Sequence, residues 1–274
     1  MFVESNGLGY FVPGNIDSTK AAAIFATRRG GVSRGAGVGS LNFGSFSGKY
    51  DTPENVRKNY ETVALELGFS VNNIIHATQR HTADILTADE SLRGCGLPLP
   101  GDYIFDAMVT NVPGIVLTAR SADCVPILFY DGGNRAVGAA HCGWRGTALG
   151  LQIKTARKMR ELYGTDLRKL KAAVGPCISK CCYEVSADVY ESFADSLGSE
   201  INRFFESKSL GAEQKYMCDL KAVNKFLLTR ELDESNIEIS ENCTCCEPDL
   251  FYSHRRDGEN RGTHAAFISI RENI

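Results

Sequence analysis

Short apolar runs separated by polar turns fill the middle of the chain. Runs this brief, bounded by Gly, Pro, Asn and Asp, are typical of buried strands rather than helices. They predict strands at Ile74-Ile75, Ile85-Leu86, Met108-Val109, 115–119, 125–130 and 136–140. Similar runs predict an earlier strand over 21–27 and terminal strands over 237–239 and 264–270. The chain is therefore expected to contain a strand-rich sheet core.

Helical spacing appears in four segments that flank this core. Asp51-Thr52-Pro53-Glu54 offers a capping side chain, a first-turn proline and an acid, so it predicts a helix that ends at Gly68. Further helices are predicted over 148–163, closed by Gly164, then over 187–197 after Ser186, and from Asp219 to about Leu232.

Strands first, followed by alternating helices and strands, indicate a mixed α/β sheet rather than regular βαβ winding. No internal repeat or linker divides the sequence, which favours one domain spanning residues 1–274. Neither a G-x-G-x-x-G nor a G-x-x-x-x-G-K-[ST] string is present, so nucleotide binding by those loops is not expected.

Composition narrows the range of partners. The 274 residues are 43% hydrophobic and 23% charged, with a net charge of −3, so no overall positive field favours nucleic acid. No apolar stretch is long enough to span a bilayer, and the first residues do not form a signal peptide. A cytoplasmic protein without membrane or nucleic-acid partners is expected. Its ten cysteines should then be mostly reduced.

Three chemically active strings lie within about 70 residues of each other. They are Gln79-Arg80-His81, Ala122-Asp123-Cys124 and Ala140-His141-Cys142-Gly143-Trp144-Arg145-Gly146. Two histidines and a cysteine suit a catalytic zinc, because that ion takes three protein ligands and leaves one position open. The sequence thus predicts His81, Cys124 and His141 as metal ligands and catalytic residues. Three unrelated sites remain the alternative.

Polar neighbours of these strings are candidates for supporting roles. Asp123 could orient an imidazole or move protons, although a turn hydrogen bond would also explain it. Gln79 could bind a base or a water, or simply face solvent. Arg145 and Arg28 are candidate anion-binding groups, with packing on Trp144 and ordinary surface exposure as their respective alternatives.

Two cysteine clusters have no assigned role at this level. Cys177, Cys181 and Cys182 form the first, and Cys243, Cys245 and Cys246 form the second. They lack the paired C-x-x-C spacing of a zinc ribbon. Small buried side chains, a second structural metal or a redox switch would each account for them.

Taken in order, longer strings resemble a known family. These strings are 27–33 (TRRGGVS), 41–44 (LNFG), Gln79-Arg80-His81, 122–126 (ADCVP), 140–146 (AHCGWRG), 175–178 (GPCI), 182–185 (CYEV) and 251–258 (FYSHRRDG). The chain is similar to the YfiH-type family over about residues 20 to 270. Its members have been described as polyphenol oxidases or laccase-domain proteins, and later as purine nucleoside phosphorylases.

The resemblance implies a fold, a cofactor and an activity. It implies a four-layer α/β/β/α sandwich and a zinc ion bound by His81, Cys124 and His141. It implies phosphorolysis of adenosine, inosine, guanosine or S-methyl-5'-thioadenosine by inorganic phosphate, with adenosine deamination at the same site. Carried over by motif, Arg28 and Asn42 line the same pocket, and Arg145 joins them. The string Cys243-Thr244-Cys245-Cys246 departs from the single Cys-Thr usual in the family.

Other functions stay open. Copper could occupy the same three ligands in vitro, since it outcompetes zinc for such donors, and a copper-dependent polyphenol oxidase would follow. Cys124 and His141 could instead form a metal-free hydrolase pair. A non-enzymatic zinc-holding or redox-sensing protein is the third alternative.

Overall fold

The structure is a computed structural model that describes residues 1–35, 37–44, 51–93, 103–208 and 213–272. Within these ranges the strands are β1 (Phe2–Ser5), β2 (Leu8–Phe11), β3 (Ala21–Ala26), β4 (Ile74–Ile75), β5 (Ile85–Thr87), β6 (Ala107–Thr110), β7 (Val116–Ser121), β8 (Val125–Asp131), β9 (Ala136–Cys142), β10 (Lys171–Val174), β11 (Glu184–Ser186), β12 (Phe205–Ser207), β13 (Lys215–Cys218), β14 (Ile237–Ile239) and β15 (His264–Ile270). The α-helices are α1 (Pro53–Leu67), α2 (Trp144–Ala148), α3 (Leu151–Tyr163), α4 (Ala187–Glu191), α5 (Ala194–Leu197), α6 (Leu220–Leu228) and α7 (His254–Asp257).

Two six-stranded mixed sheets form the centre of the fold. Their strand orders are β1-β2-β3-β15-β7-β4 and β14-β10-β8-β9-β6-β5. Most neighbours are antiparallel, whereas β4 with β7, β5 with β6 and β10 with β14 are parallel. A smaller sheet, β11-β13-β12, lies beside them. The fold class is therefore mixed α/β, as predicted.

Alternating side chains of the central strands pack in different layers. Phe25 of β3 and Leu128 of β8 lie in the core between the two sheets, whereas Ile24 of β3 packs with Tyr60 of α1 on the outer face of the first sheet. Met159 of α3 covers the outer face of the second sheet. Because a strand exposes successive side chains to opposite faces, both faces of each sheet are covered. The result is the predicted α/β/β/α sandwich.

Helix boundaries follow the predicted caps with some corrections. Thr52 accepts a hydrogen bond from the Asn55 N–H, and Gly68 ends α1 with a φ of 80°. The helix predicted over 148–163 begins only at Leu151, because a separate helix, α2, ends at Ala148. The helix predicted over 187–197 is two short helices, and the one predicted to reach Leu232 ends at Leu228. No helix in the described ranges is long and apolar enough to cross a bilayer.

Candidate active site

Three donor side chains meet at one edge of the sandwich. His81 follows β4, Cys124 lies in the short connection that carries the chain from β7 in one sheet to β8 in the other, and His141 lies near the end of β9. Their ligand atoms all lie within 4.8 Å of one another, and Cys124 Sγ is 3.7 Å from His81 Nε2. The structure thus brings together the three residues that the sequence suggested as a set.

The buried carboxylate of Asp106 organises two of these donors. Its Oδ1 accepts hydrogen bonds from His141 Nδ1 at 2.8 Å and from the His81 N–H at 3.0 Å. Its Oδ2 accepts the N–H groups of Arg80 at 3.1 Å and Thr82 at 2.7 Å. Because an ionised carboxylate only accepts, Nδ1 of His141 carries the proton and Nε2 is left as the ligand atom.

The charges of the site depend on one another. Burial alone would raise the pKa of Asp106, but hydrogen bonds from His141 and from the Thr82 and Arg80 N–H groups lower that pKa to about 2. Burial would also raise the pKa of Cys124, yet the positive charge of His141 lowers it to about 6. Conversely, burial opposes the imidazolium of His141, whereas Cys124 and Asp106 raise its pKa to about 9. Without a metal, the site favours a thiolate beside an imidazolium.

The three donors fit a single zinc ion. A tetrahedral zinc with one sulfur and one imidazole ligand sets those two atoms roughly 3.6 Å apart. The distance of 3.7 Å between Cys124 Sγ and His81 Nε2 matches this value. The carboxylate behind His141 is also the usual partner of a metal-bound imidazole. Three protein donors leave one position of a tetrahedron open toward the cleft.

The backbone around the donors is unusual at two residues. His81 and Asp123 have φ angles of 60° and 95°, in a region that residues with side chains rarely adopt. Gly143 lies against two of the three metal-ligand candidates: a Cβ atom there would lie 2.7 Å from His81 Cδ2 and 3.1 Å from Cys124 Sγ. The glycine of the 140–146 string therefore leaves the space in which the donors meet.

The Asp123 carboxylate accepts hydrogen bonds from the neighbouring loops. It accepts hydrogen bonds from Thr244 Oγ1 at 2.6 Å, Ser253 Oγ at 3.0 Å and the Arg255 N–H at 2.7 Å. These contacts fix the turn that presents Cys124. The carboxylate that orients an imidazole, a role suggested for Asp123, is that of Asp106.

A cleft of about 510 Å³ opens beside the three donors. Arg145 and Arg261 contribute cationic side chains to it, and Trp144 and Tyr183 contribute aromatic ones. The Arg145 guanidinium carbon also lies 4.1 Å from the centre of the Trp144 ring, so the packing interpretation of Arg145 is seen, and anion binding stays a prediction. The other lining residues are His81, Ala122, Asp123, Cys124, Ile178, Leu220, His254, Arg255 and Glu259.

Three predicted pocket residues are held elsewhere in the structure. Arg28 donates to the carbonyls of Gly39 and Pro248 and lines a different, more open depression. Asn42 is buried, and its Oδ1 accepts the Gly44 and Thr263 N–H groups. Gln79 exchanges two hydrogen bonds of 2.9 Å with the backbone of Arg120. None of these three lines the cleft beside the donors, so their predicted contact with its contents is not seen in the described residues.

Sequence reasoning missed several residues of the site. Asp106 stands before β6 without any motif around it, and only its contacts reveal its position behind His141. Arg261 and Glu259 lie just beyond the 251–258 string, and His254 lies within it; all three line the cleft. His76 and His264 are buried.

Comparison with known proteins supplies a family context. The sequence profile of the family described as multi-copper polyphenol oxidoreductase laccase matches residues 22–271. The mouse protein named purine nucleoside phosphorylase LACC1 is 34% identical over 253 residues, which are 90% of this chain and 55% of that protein. The chain thus spans about half the length of this mammalian relative.

Bacterial relatives match over nearly their whole length. Purine nucleoside phosphorylase YlmD of Geobacillus stearothermophilus is 37% identical over 258 residues, covering 92% of this chain and 91% of that protein. A protein named adenosine deaminase RL5, from an unknown prokaryotic organism, is 30% identical over 248 residues, with 89% and 92% covered. The solved structure of Bacillus licheniformis YfiH superposes with a TM-score of 0.87 at 30% identity, covering 98% of this chain and 99% of that one. The resemblance inferred from the motifs is confirmed.

Proposed function

Since the chain belongs to the multi-copper polyphenol oxidoreductase laccase family, whose relatives include proteins named purine nucleoside phosphorylase and adenosine deaminase, we propose that it is a zinc-dependent purine nucleoside phosphorylase. It would convert adenosine, inosine, guanosine and S-methyl-5'-thioadenosine to the free base and a ribose 1-phosphate. Adenosine deamination would occur at the same site. The observation that carries the proposal is the convergence of His81, Cys124 and His141 beside a cationic, aromatic cleft, which His81 and Cys124 line.

Phosphate binding is assigned to the arginines of the cleft. Among the described residues, the buried Nε of Arg261 has no hydrogen-bond partner, so an oxygen of phosphate would satisfy it. Arg145, which lies in the 140–146 string, supplies a second planar cation to the cleft. Together these arginines would hold phosphate near the anomeric carbon and stabilise the charge that it carries into the transition state.

The purine is assigned to the aromatic side of the cleft. Trp144 and Tyr183 offer ring faces on which a base can stack, and Ile178 and Leu220 exclude water around it. The departing base gains electrons as the glycosidic bond breaks. We assign the donation of a proton to the departing base to His254, which lines the cleft with its Nδ1 3.9 Å from Glu259 Oε1.

Zinc would be held by Cys124 Sγ and by the two histidines, with His141 bound through Nε2. When bound there, it supplies a Lewis acid and lowers the pKa of a coordinated water toward neutrality. Asp106 keeps His141 in the tautomer that this requires. We further propose a cytoplasmic location, because the nine described cysteines are free thiols, which suits a reducing compartment.

One assay tests the main proposal. Purified protein is incubated with adenosine, with and without phosphate, and the products are separated by chromatography beside elemental analysis of the same sample. We expect about one zinc at the His81 site and release of adenine that requires phosphate. Cys124→Ala should abolish both, whereas Cys218→Ala, a buried cysteine of β13, should abolish neither.

Three outcomes would contradict the assignment. Base release at the same rate without phosphate would indicate hydrolysis rather than phosphorolysis. Turnover that survives complete metal removal would favour the metal-free pair of Cys124 and His141, whose thiolate–imidazolium charges suit a nucleophile and its base. Oxidation of a catechol only after copper loading would favour the oxidase.

A further inference from the structure

A second group of metal-binding side chains lies outside the cleft. Cys181 and Cys182 come from the loop between β10 and β11, and Cys243 and Cys246 come from the turn after β14. We propose that this four-cysteine cluster binds a structural zinc ion, separate from the His81 site.

The sulfur–sulfur distances of the cluster are close to those of an S4 tetrahedron around zinc. The Sγ of Cys181 lies 3.7 Å from that of Cys182, 3.7 Å from that of Cys243 and 3.6 Å from that of Cys246. The sulfurs of Cys182 and Cys246 are 3.3 Å apart, and all four lie within 4.8 Å of one another. A zinc ion with bonds of about 2.3 Å to four sulfurs would set them roughly 3.8 Å apart. One ion therefore fits inside the cluster after small side-chain rotations.

Backbone contacts hold the two loops in register before any ion binds. Cys177 and Cys243 form an isolated parallel bridge, and the Thr244 N–H donates to the Cys177 carbonyl at 3.1 Å. The Ser179 N–H donates to Cys243 Sγ at 3.4 Å, a contact that favours the thiolate. Cys243 and Cys246 form a single C-x-x-C, which lets one turn supply two ligands, whereas the adjacent Cys181 and Cys182 do not complete the paired spacing of a zinc ribbon.

Cations around the loops offset the charge of four thiolates. Such a site with Zn²⁺ has a net charge of about −2. The largely buried Lys221 donates to the Ser240 carbonyl at 2.7 Å and to the Asn242 carbonyl at 2.9 Å, just before Cys243. Arg255 donates to the Cys182 carbonyl at 3.1 Å, and Arg256 donates to the Cys245 carbonyl at 3.0 Å. Three cationic side chains thus donate hydrogen bonds to the backbone of the two loops that carry the cysteines.

Disulfides explain the arrangement less well than an ion. A disulfide joins two sulfurs at about 2 Å, so disulfides would separate the four sulfurs into pairs. Here Cys181 Sγ lies 3.7 Å from Cys243 Sγ and 3.6 Å from Cys246 Sγ, and Cys182 Sγ lies 3.3 Å from Cys246 Sγ, so these pairs are longer than a disulfide bond and close to the separation in a four-sulfur zinc site. Soft sulfur donors in a tetrahedral set select zinc among the common divalent ions. With four protein ligands no position is open, so the ion would be structural.

The cluster has a direct link to the active site. Thr244, between two of the ligands, donates to Asp123 Oδ1 at 2.6 Å, and Asp123 precedes Cys124. An ion in the cluster would therefore stiffen the loops that fix the turn carrying Cys124.

Metal content tests the proposal. Elemental analysis of the full chain should find about two zinc ions, and Cys181→Ser with Cys246→Ser should retain one. Cys245→Ser is the matched control, because Cys245 lies between two of the ligands but outside the group of four; it should retain two. Loss of one ion from the control as well, or one ion in the wild type, would overturn the proposal, as would iron in place of zinc.

Measurements on the wild type guard against misfolding of the variants. X-ray absorption at the zinc edge should give two to three sulfur ligands per zinc on average, because one site has four sulfurs and the other has one. An average of one sulfur would overturn the proposal. So would an intact mass 2 Da below that of the reduced chain, with a disulfide mapped to these cysteines. Replacing zinc with Co²⁺ should give thiolate charge-transfer absorption about fivefold stronger in the wild type, with five thiolate ligands, than in the variant with both serine substitutions, in which only Cys124 remains as a thiolate ligand.

Discussion

Asp106 and His141 are joined by a 2.8 Å hydrogen bond from imidazole Nδ1 to carboxylate Oδ1, and the same oxygen accepts the His81 N–H at 3.0 Å. One buried atom therefore sets both the tautomer of one histidine and the backbone position of the other. Since His81 lies in a left-handed conformation, with a φ of 60°, this contact compensates for a backbone that is otherwise unfavourable.

Asp106→Asn should weaken zinc binding and turnover about 10- to 100-fold, the usual effect of losing the carboxylate behind a metal-bound imidazole. The asparagine keeps the size of the side chain but removes its charge. Zinc affinity measured by competition with a chelator is the readout. Asp131→Asn is the matched control, because Asp131 is also buried and caps the Gly133 and Asn134 N–H groups far from the cleft. Equal zinc affinity in both variants would contradict this role.

Acid should remove the stabilising effect of Asp106 in metal-free protein. The folded pKa of about 2 lies below the ordinary carboxyl pKa of 3.8, so the contribution is complete above pH 3.8 and is lost as pH falls toward 2. The difference in free energy of unfolding between wild type and Asp106→Asn should shrink by roughly 1 kcal/mol from pH 5 to pH 3. Urea unfolding at several pH values measures this difference. A constant difference would show that the carboxylate does not titrate as described.

Cys124 should react as a thiolate in metal-free protein near neutral pH. Its pKa is about 6, because the positive charge of His141 outweighs the effect of burial. The rate of alkylation of Cys124, followed by mass spectrometry of its peptide, should rise as pH passes through about 6. His141→Asn should move this midpoint upward. Cys142, whose pKa is raised by burial, serves as the internal control and should stay unreactive over the same range.

The sequence contained most of the fold but only part of the site. The apolar runs and caps located the central strands and α1, because burial and capping are local in sequence. The strings around His81, Cys124 and His141 identified the donors. The sequence did not predict Asp106, because its role depends on hydrogen bonds to residues 24 to 35 positions away. A local sequence pattern does not show such contacts. Arg28 lies in the 27–33 string that resembles the family, yet its hydrogen bonds hold it in a depression separate from the cleft beside the donors.

Gly143→Ala should lower the activity, because the added methyl group would collide with the His81 side chain. Its Cβ would lie 2.7 Å from His81 Cδ2, a separation that displaces the imidazole. Because displacement of a reacting group by about 1 Å can cost roughly 100-fold in rate, we expect a loss of this order. Gly146→Ala is the control in the same string, since its Cβ would meet nothing closer than 3.4 Å. Steady-state rates of both variants with adenosine and phosphate, beside their melting temperatures, separate local displacement from unfolding.

Arg145 and Arg28 were both expected to bind an anion, and the structure separates them. Arg145 lines the cleft, whereas Arg28 donates to the carbonyls of Gly39 and Pro248. Arg145→Ala should raise the KM for phosphate about 10- to 100-fold, because a hydrogen bond to a charged group contributes about 1.5–3 kcal/mol. Arg28→Ala should lower the melting temperature and leave that KM unchanged. Phosphate titrations of both variants at saturating nucleoside decide the matter: if Arg28→Ala alone raised the KM, phosphate would bind in the other depression and the cleft assignment would be wrong.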